Sequence, residues 1–311
     1  RTVKLWGKDG SLLTTFKSPQ DSVLGIASSP DGRKLVSGHW NGAINILRVD
    51  NSNPPQIYLD KTIKGHKVGV WRVAISPTLI EEDKGGIIAT ASEDKTAKLW
   101  DWQGNLVTSL NGHQDIVKAI AFSPDSNMVA TASYDMTVKL WNTQGKTLET
   151  LTQHHNSVTA LDISHDGKLI ATADIEGIIK LWQIERVLDE GRVIVKLHKT
   201  FQAHTDSVRK IVFSPDGKLI ATASEDNTIK LWHRNGQLLK TFYGHDEPVW
   251  SVAFSDDGKT LVSASEDKTA IIWHLPEMFE LDLLTAGCNQ IEDYLRTNTE
   301  VAIGDRKLCD L

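Results

Sequence analysis

AHTDSVRKIVFSPDGKLIATASEDNTIKLWHRNGQLLKTFYG, residues 203–244, decides the fold. Ser207 to Phe213 is short and rich in Val and Ile. Ser214-Pro215-Asp216-Gly217 is a turn: Pro sets φ, Asp bonds its own backbone and Gly takes a position that needs φ > 0. Lys218 to Ser224 alternates small and branched residues, as a packed strand does. Glu225-Asp226-Asn227 is a second turn, Thr228 to Trp232 alternates again, Arg234-Asn235-Gly236 is a third turn, and Gln237 to Phe242 is a fourth strand. Four short strands with turns every 8 to 12 residues predict an antiparallel meander. We label its strands a, b, c and d.

The unit recurs. Trp100 to Trp141, Trp141 to Trp182 and Trp232 to Trp273 are 41 residues apart, and Trp6 to Leu47 is the same step. Leu47 to Trp100 spans 53 and Trp182 to Trp232 spans 50, as loop insertions of 12 and 9 would give. A period in this range marks a solenoid, propeller or array. An Asp stands six before the Trp at Asp94, Asp135, Asp226 and Asp267, and a Thr or Ser ten before it at Thr90, Thr131, Thr172, Thr222 and Ser263. A His stands 28 before it at His113, His154, His204 and His245. His66 is 34 before Trp100, because Thr78 to Gly86 lengthens its a–b turn by six.

The repeated GH…SPDG…SxDxTxKLW pattern resembles WD40 repeats over residues 1–275. Only Leu99-Trp100-Asp101 keeps the literal Trp-Asp pair; Gly7, Asn142, Gln183, His233 and His274 fill the Asp slot elsewhere. The resemblance implies an all-β propeller of four-stranded antiparallel blades around a channel. Seven c strands are expected, at Trp6, Leu47, Trp100, Trp141, Trp182, Trp232 and Trp273, with six complete a-b-c sets. The chain opens at Arg1 inside a repeat, so a seven-bladed ring with part of one blade upstream, in a longer parent, is expected. The alternative is six blades, with Leu12 to Phe16 closing the last one as its d strand.

His, Ser/Thr and Asp together invite a hydrolase reading, in which one nucleophile aligns with one base and one acid. Here the set recurs, as His66/Thr90/Asp94/Trp100, His113/Thr131/Asp135/Trp141, His204/Thr222/Asp226/Trp232 and His245/Ser263/Asp267/Trp273. An active site is not built four times around a ring, so no enzyme is expected. The resemblance implies a structural hydrogen-bonded network in each blade; its strand-b member is Thr90 or the same-face Ser92. Two units look incomplete. The first full set has Pro19, Asn41 and Leu47 in the His, Asp and Trp slots, and the fourth has His154 but Glu176 in the Asp slot. These two blades are expected to be the least rigid.

Gly145-Lys146-Thr147 and Gly258-Lys259-Thr260 lack the earlier glycine of a phosphate-binding loop, since Leu140 and Ala253 stand there. His154-His155 with His165 is not read as a metal site, because His154 is the repeat histidine and His165 replaces the turn Pro. No cofactor or metal is expected. The net charge is −6 and no basic stripe is visible, which argues against nucleic acid. The apolar runs are far too short for a membrane span. There is no signal segment or glycosylation sequon, and the only cysteines are Cys288 and Cys309, so a cytoplasmic setting is expected.

The rhythm stops at residues 276–311, read as a tail packed on the propeller. Ile291, Tyr294 and Leu295 have helical spacing, which predicts a helix over Asn289–Leu295. LLTAGCNQIEDYLRTN…DRKLC resembles tails of bacterial, notably cyanobacterial, WD40 proteins, where repeats often follow a NACHT-type or other effector module. Cys288 and Cys309 are read as small buried hydrophobes.

Propellers of this family are mostly platforms for protein or peptide partners, so a scaffold binding such a partner on its top face is expected. The alternative is a sensor propeller of a larger NACHT-type signalling ATPase. By resemblance the d–a loops and b–c turns share the top face. Residues before the Asp slot point there, namely Trp40, Glu93, Tyr134, Ile175, Glu225 and Glu266, and those at the start of strand a reach the same rim, namely Trp71, Lys118, Arg209 and Trp250. Exposed aromatics and Arg suit binding hot spots. Trp71 and Trp250 could equally pack against adjacent blades.

Overall fold

A computed structural model of the chain describes residues 1–50, 52–77, 86–187 and 192–275. Its described residues hold β1 (Thr2–Trp6) and β2 (Leu12–Lys17); then β3 (Val23–Ser28), β4 (Lys34–His39), β5 (Ala43–Val49) and β6 (Ile57–Lys64). Next come β7 (Val70–Ile75), β8 (Ile88–Ser92), β9 (Ala97–Trp100) and β10 (Leu106–Leu110), then β11 (Val117–Phe122), β12 (Met128–Ser133), β13 (Val138–Asn142) and β14 (Thr147–Leu151). They are followed by β15 (Val158–Ile163), β16 (Leu169–Asp174), β17 (Ile178–Val187) and β18 (Arg192–Gln202). The last are β19 (Val208–Phe213), β20 (Leu219–Ser224), β21 (Ile229–His233), β22 (Leu238–Phe242), β23 (Val249–Phe254), β24 (Thr260–Ser265) and β25 (Ala270–His274).

The result is an all-β propeller. Six blades carry strands a, b and c in antiparallel order; five have four strands and β23–β25 has three. β1 and β2 form a separate two-stranded sheet. The described blades number six, the count of the alternative rather than the expected seven, but Leu12–Phe16 pairs with β1 in the register Val3↔Phe16 and Leu5↔Thr14 instead of closing the last blade. The 9-residue insertion lies in the β17–β18 hairpin, which pairs from Ile178↔Gln202 out to Val187↔Arg192. The predicted tail helix, Cys288 and Cys309 lie outside the described residues.

Six apolar clusters join neighbouring sheets face to face. Ala119, Leu140, Val158 and Trp182 belong to one, and Ala160, Leu181, Ile211 and Trp232 to the next. Val3, Leu47 and Ile57 tie β1–β2 to the blade that follows. Trp141 and Trp182 are fully buried; burying a large apolar side chain contributes about 1.5–3 kcal/mol. The Asp257 carboxyl, held low first by the Ser255 hydroxyl and then by the Lys259 N–H, also feels the Lys8 ammonium of the β1–β2 turn. Arg234 and Asp166 join the c–d turn of one blade to the a–b turn of the blade before it, at 3.1 Å.

The a strands β3, β7, β11, β15, β19 and β23 neighbour one another in turn and line the centre. Each is bulged at the same place. The register shifts between Val23 and Gly25, Val70 and Arg72, Val117 and Ala119, Val158 and Ala160, Val208 and Lys210, and Val249 and Ser251. The second residue of every a strand is therefore the extra one, and a bulge of this kind re-aims its side chain.

Candidate partner surface at the channel mouth

The scaffold beneath the mouth is made of hydrogen bonds. His66 Nδ1 donates to Asp94 Oδ2 at 2.9 Å, and Thr90 Oγ1 lies 2.8 Å from His66 Nε2. The Trp100 indole N–H donates to Thr90 Oγ1 at 2.9 Å. With the imidazole neutral every group is satisfied: Trp N–H to Thr, Thr O–H to Nε2, Nδ1–H to the carboxylate. Burial agrees with that state, lowering the His66 pKa despite the Asp94 contact. Burial alone would raise the pKa of Asp94, but hydrogen bonds from His66 and Thr96 outweigh it and hold the carboxyl below the usual range. The structure brings together the same four groups around His113, His204 and His245.

Thr90, not Ser92, is the strand-b member. Ser92 instead donates to the Gly69 carbonyl at 2.9 Å and accepts from the Asp94 N–H. The fourth unit is not incomplete. Asp174, at the strand position Ser92 holds elsewhere, accepts from His154 Nδ1 at 3.0 Å, while Thr172 joins His154 to Trp182. A carboxylate two residues earlier in the chain reaches the same place, and the Glu176 side chain is left exposed. The β3–β6 blade uses other pairs. His39 Nε2 meets Ser37 Oγ at 3.0 Å, and Asn45 bonds Ser18 and Thr62. The expectation that these two blades are loosest loses its basis, since both close their buried polar groups.

Above the networks lie the b–c turns. Their residue after the Asp slot is left-handed in every unit: Gly42, Lys95, Met136, Gly177, Asn227 and Lys268. A Cβ at Gly42 or Gly177 would overlap the carbonyl oxygen of His66 or His204 in the next unit.

Four of the six bulged residues, Trp71, Lys118, Arg209 and Trp250, meet turn residues or each other at the mouth in two groups, while Thr159 is buried and bonds the Val208 carbonyl. In one, Trp40 stacks edge-to-face on Trp71, with centroids 5.7 Å apart. The Lys118 ammonium sits over Trp71, 2.9 Å from its centroid, and 5.7 Å from that of Tyr134. In the other, the Arg209 guanidinium bonds Glu225 and lies 4.7 Å from the Trp250 centroid. Trp40 and Trp250 are 48% and 39% exposed. The Trp71 indole N–H is buried without a partner. Burial first, then Arg209 and Arg72, push Lys118 down to about 7 while Glu93 pulls the other way. Glu266 is tied by its backbone to Pro248 and joins neither group by a described contact.

Three residues here escaped sequence reasoning: Arg72, Lys210 and Asp162. Arg72 Nη2 donates to the Arg209 carbonyl at 2.7 Å, linking β7 to β19 past two intervening blades. The signal was present in the slots. The third residue of strand a is Gly25, Ala119, Ala160 or Ser251 in four units, but Arg72 and Lys210 in two. The fifth is Ala or Val in five units and Asp162 in β15.

The family model described as "WD domain, G-beta repeat" matches residues 10–46, 58–101, 104–142, 145–183, 195–233 and 236–274, well over half the chain. The chain belongs to the WD40 repeat family. Its curated relatives include "Nuclear distribution protein PAC1" of Coccidioides posadasii (strain C735), 29% identical over 140 residues, covering 40% of this chain and 29% of that protein. Another is "Nuclear distribution protein nudF" of Emericella nidulans, 27% identical over 140 residues, covering 40% and 30%. A third is the PAC1 protein of Candida albicans (strain SC5314), 31% identical over 117 residues, covering 38% and 21%. The WD40 match thus spans less than a third of these relatives. They are fungal, so the expected likeness to bacterial, cyanobacterial-type proteins gains no support from them.

Proposed function

We propose that this WD40 propeller is a scaffold that binds a protein or peptide partner on its top face, through Trp40, Trp71, Lys118, Tyr134, Arg209 and Trp250 with Glu93, Glu225 and Glu266 around them. The observation that carries it is the bulge at the second residue of each a strand. At Trp71, Lys118, Arg209 and Trp250 it sets chemically diverse side chains where the blades meet, whereas the buried networks below are nearly identical from blade to blade. Aromatic and Arg side chains are the residues from which binding hot spots are built. A non-catalytic role is supported by the His–Thr–Asp sets, which are sealed by Trp and repeated around the ring. No helix among the described residues is long and apolar enough to cross a membrane.

The likeness to proteins named for nuclear distribution supports a scaffold role in the cytoplasm. The alternative, a sensor propeller of a NACHT-type ATPase, draws no support from the family model or the relatives. The test is affinity capture from the native organism with the chain and with a Trp40→Ala/Trp250→Ala variant of unchanged melting temperature. The variant is expected to lose at least one captured protein; an unchanged set overturns the reading.

A further inference from the structure

The channel under the mouth concentrates positive charge in a chain whose net charge is −6. Arg72, Lys118, Arg209 and Lys210 all come from the innermost strands β7, β11 and β19. Of these, only Arg209 has a carboxylate partner, Glu225, among the described residues. Arg72 has one hydrogen bond, to a backbone carbonyl, which leaves most of its five N–H donors uncommitted. Lys118 rests on aromatic faces, and Lys210 has no described hydrogen bond. Asp162 lies within electrostatic reach of Lys210, and its Oδ2 accepts the Phe213 N–H at 2.8 Å. The tetrads show what this chain does with polar groups that serve only the scaffold, namely pair them completely. The channel cations are only partly neutralised, since Arg72, Lys118 and Lys210 have no described ion pair.

We propose that Arg72, Lys118 and Lys210 form an oxyanion site in the channel, which takes the phosphate or carboxylate of an acidic side chain on the bound partner. The forked Arg72 supplies directional donors, and the two ammonium groups supply charge. Low-dielectric walls focus that charge on the channel axis. Burial first, and then neighbouring cations, hold Arg72 at about 10, Lys118 at about 7 and Lys210 at about 8. An anion among them relieves both costs, so its binding draws a proton onto Lys118. The groups facing Lys118 are Trp71, Tyr134, Arg72, Arg209, Glu93 and Glu225. Both glutamates pull the Lys118 pKa up, and Glu225 is also bonded by Arg209.

The inference rests on the partner-surface reading, but its first test does not. Inorganic phosphate and pyrophosphate are titrated into the full chain at low salt, followed by calorimetry and tryptophan fluorescence. The expected result is saturable one-to-one binding with Kd of about 1 mM or tighter, and proton uptake at pH 8. Lys118→Met and Lys210→Met, each checked for an unchanged melting temperature, weaken it at least about ten-fold, equivalent to 1.4 kcal/mol; Lys118→Arg restores it. Non-saturable binding, or an affinity unchanged in both Met variants, overturns the site. A pool of phosphoserine peptides and its glutamate and serine counterparts supply the second arm. Tighter binding of the phosphoserine or the glutamate pool than of the serine pool supports the site and names the source of the anion. Binding of inorganic anions with equal retention of all three pools overturns the link to a partner while the anion site stands.

Discussion

The five histidine networks and the channel mouth use the same kinds of residue in opposite ways. Under the b–c turns each donor meets an acceptor, and a Trp indole closes the chain. At the mouth Lys118 rests on aromatic faces, Arg72 reaches a backbone carbonyl, only Arg209 meets a carboxylate, and an indole N–H lies buried and unpaired. Leaving a buried polar group unsatisfied costs about 1–3 kcal/mol. The five networks avoid this cost; among the described side chains it falls on the Trp71 indole N–H and the Ser207 hydroxyl, both outside the networks.

The comparison breaks most directly at the carboxylates. Asp226→Ala strips acceptors from His204, Thr205 and Thr228, and is expected to cost about 3 kcal/mol or more in urea unfolding. Asp174→Ala should match it, whereas Glu176→Ala stays within about 0.5 kcal/mol. Equal costs for Asp174 and Glu176 would return the carboxylate role to the turn position. Gly177→Ala, left-handed and facing a carbonyl oxygen, is expected to cost about 2 kcal/mol in the same assay.

Acid should act next, in two stages. Burial lowers the pKa values of His39, His66, His154 and His204. Their neutral rings contribute stability that is complete above the ordinary value of 6.5 and declines as pH falls below it. The Asp94, Asp135 and Asp226 carboxyls are held low, so their share persists above the ordinary 3.8 and is lost only on further acidification. Melting temperatures flat from pH 7 to pH 5 would contradict this. The smallest effect belongs to the mouth. Lys118→Met is expected not to lower stability, because it removes a buried cation that has no described hydrogen-bond partner and that burial pushes down to about 7. A loss as large as that of Asp226→Ala would make the mouth scaffold as well.

Much of this was readable from spacing. The 41-residue step located the blades, the Asp and His slots and the insertion in the β17–β18 hairpin, while the longer a–b turn at Thr78 to Gly86 lies largely outside the described residues. It misjudged the fourth unit because slots count residues along the chain, and Asp174 reaches His154 from two residues earlier. It also passed over Arg72, Lys210 and Asp162, which depart from small residues at their slots.

Order and register are therefore properties of the sequence, since alternation, turns and period are local. Which side chains share a site was decided only by tertiary structure. Closing the blades around a channel brings β7, β11 and β19 within electrostatic reach, across 137 residues from Arg72 to Arg209. No local pattern encodes that meeting, because it depends on how the blades are arranged around the centre.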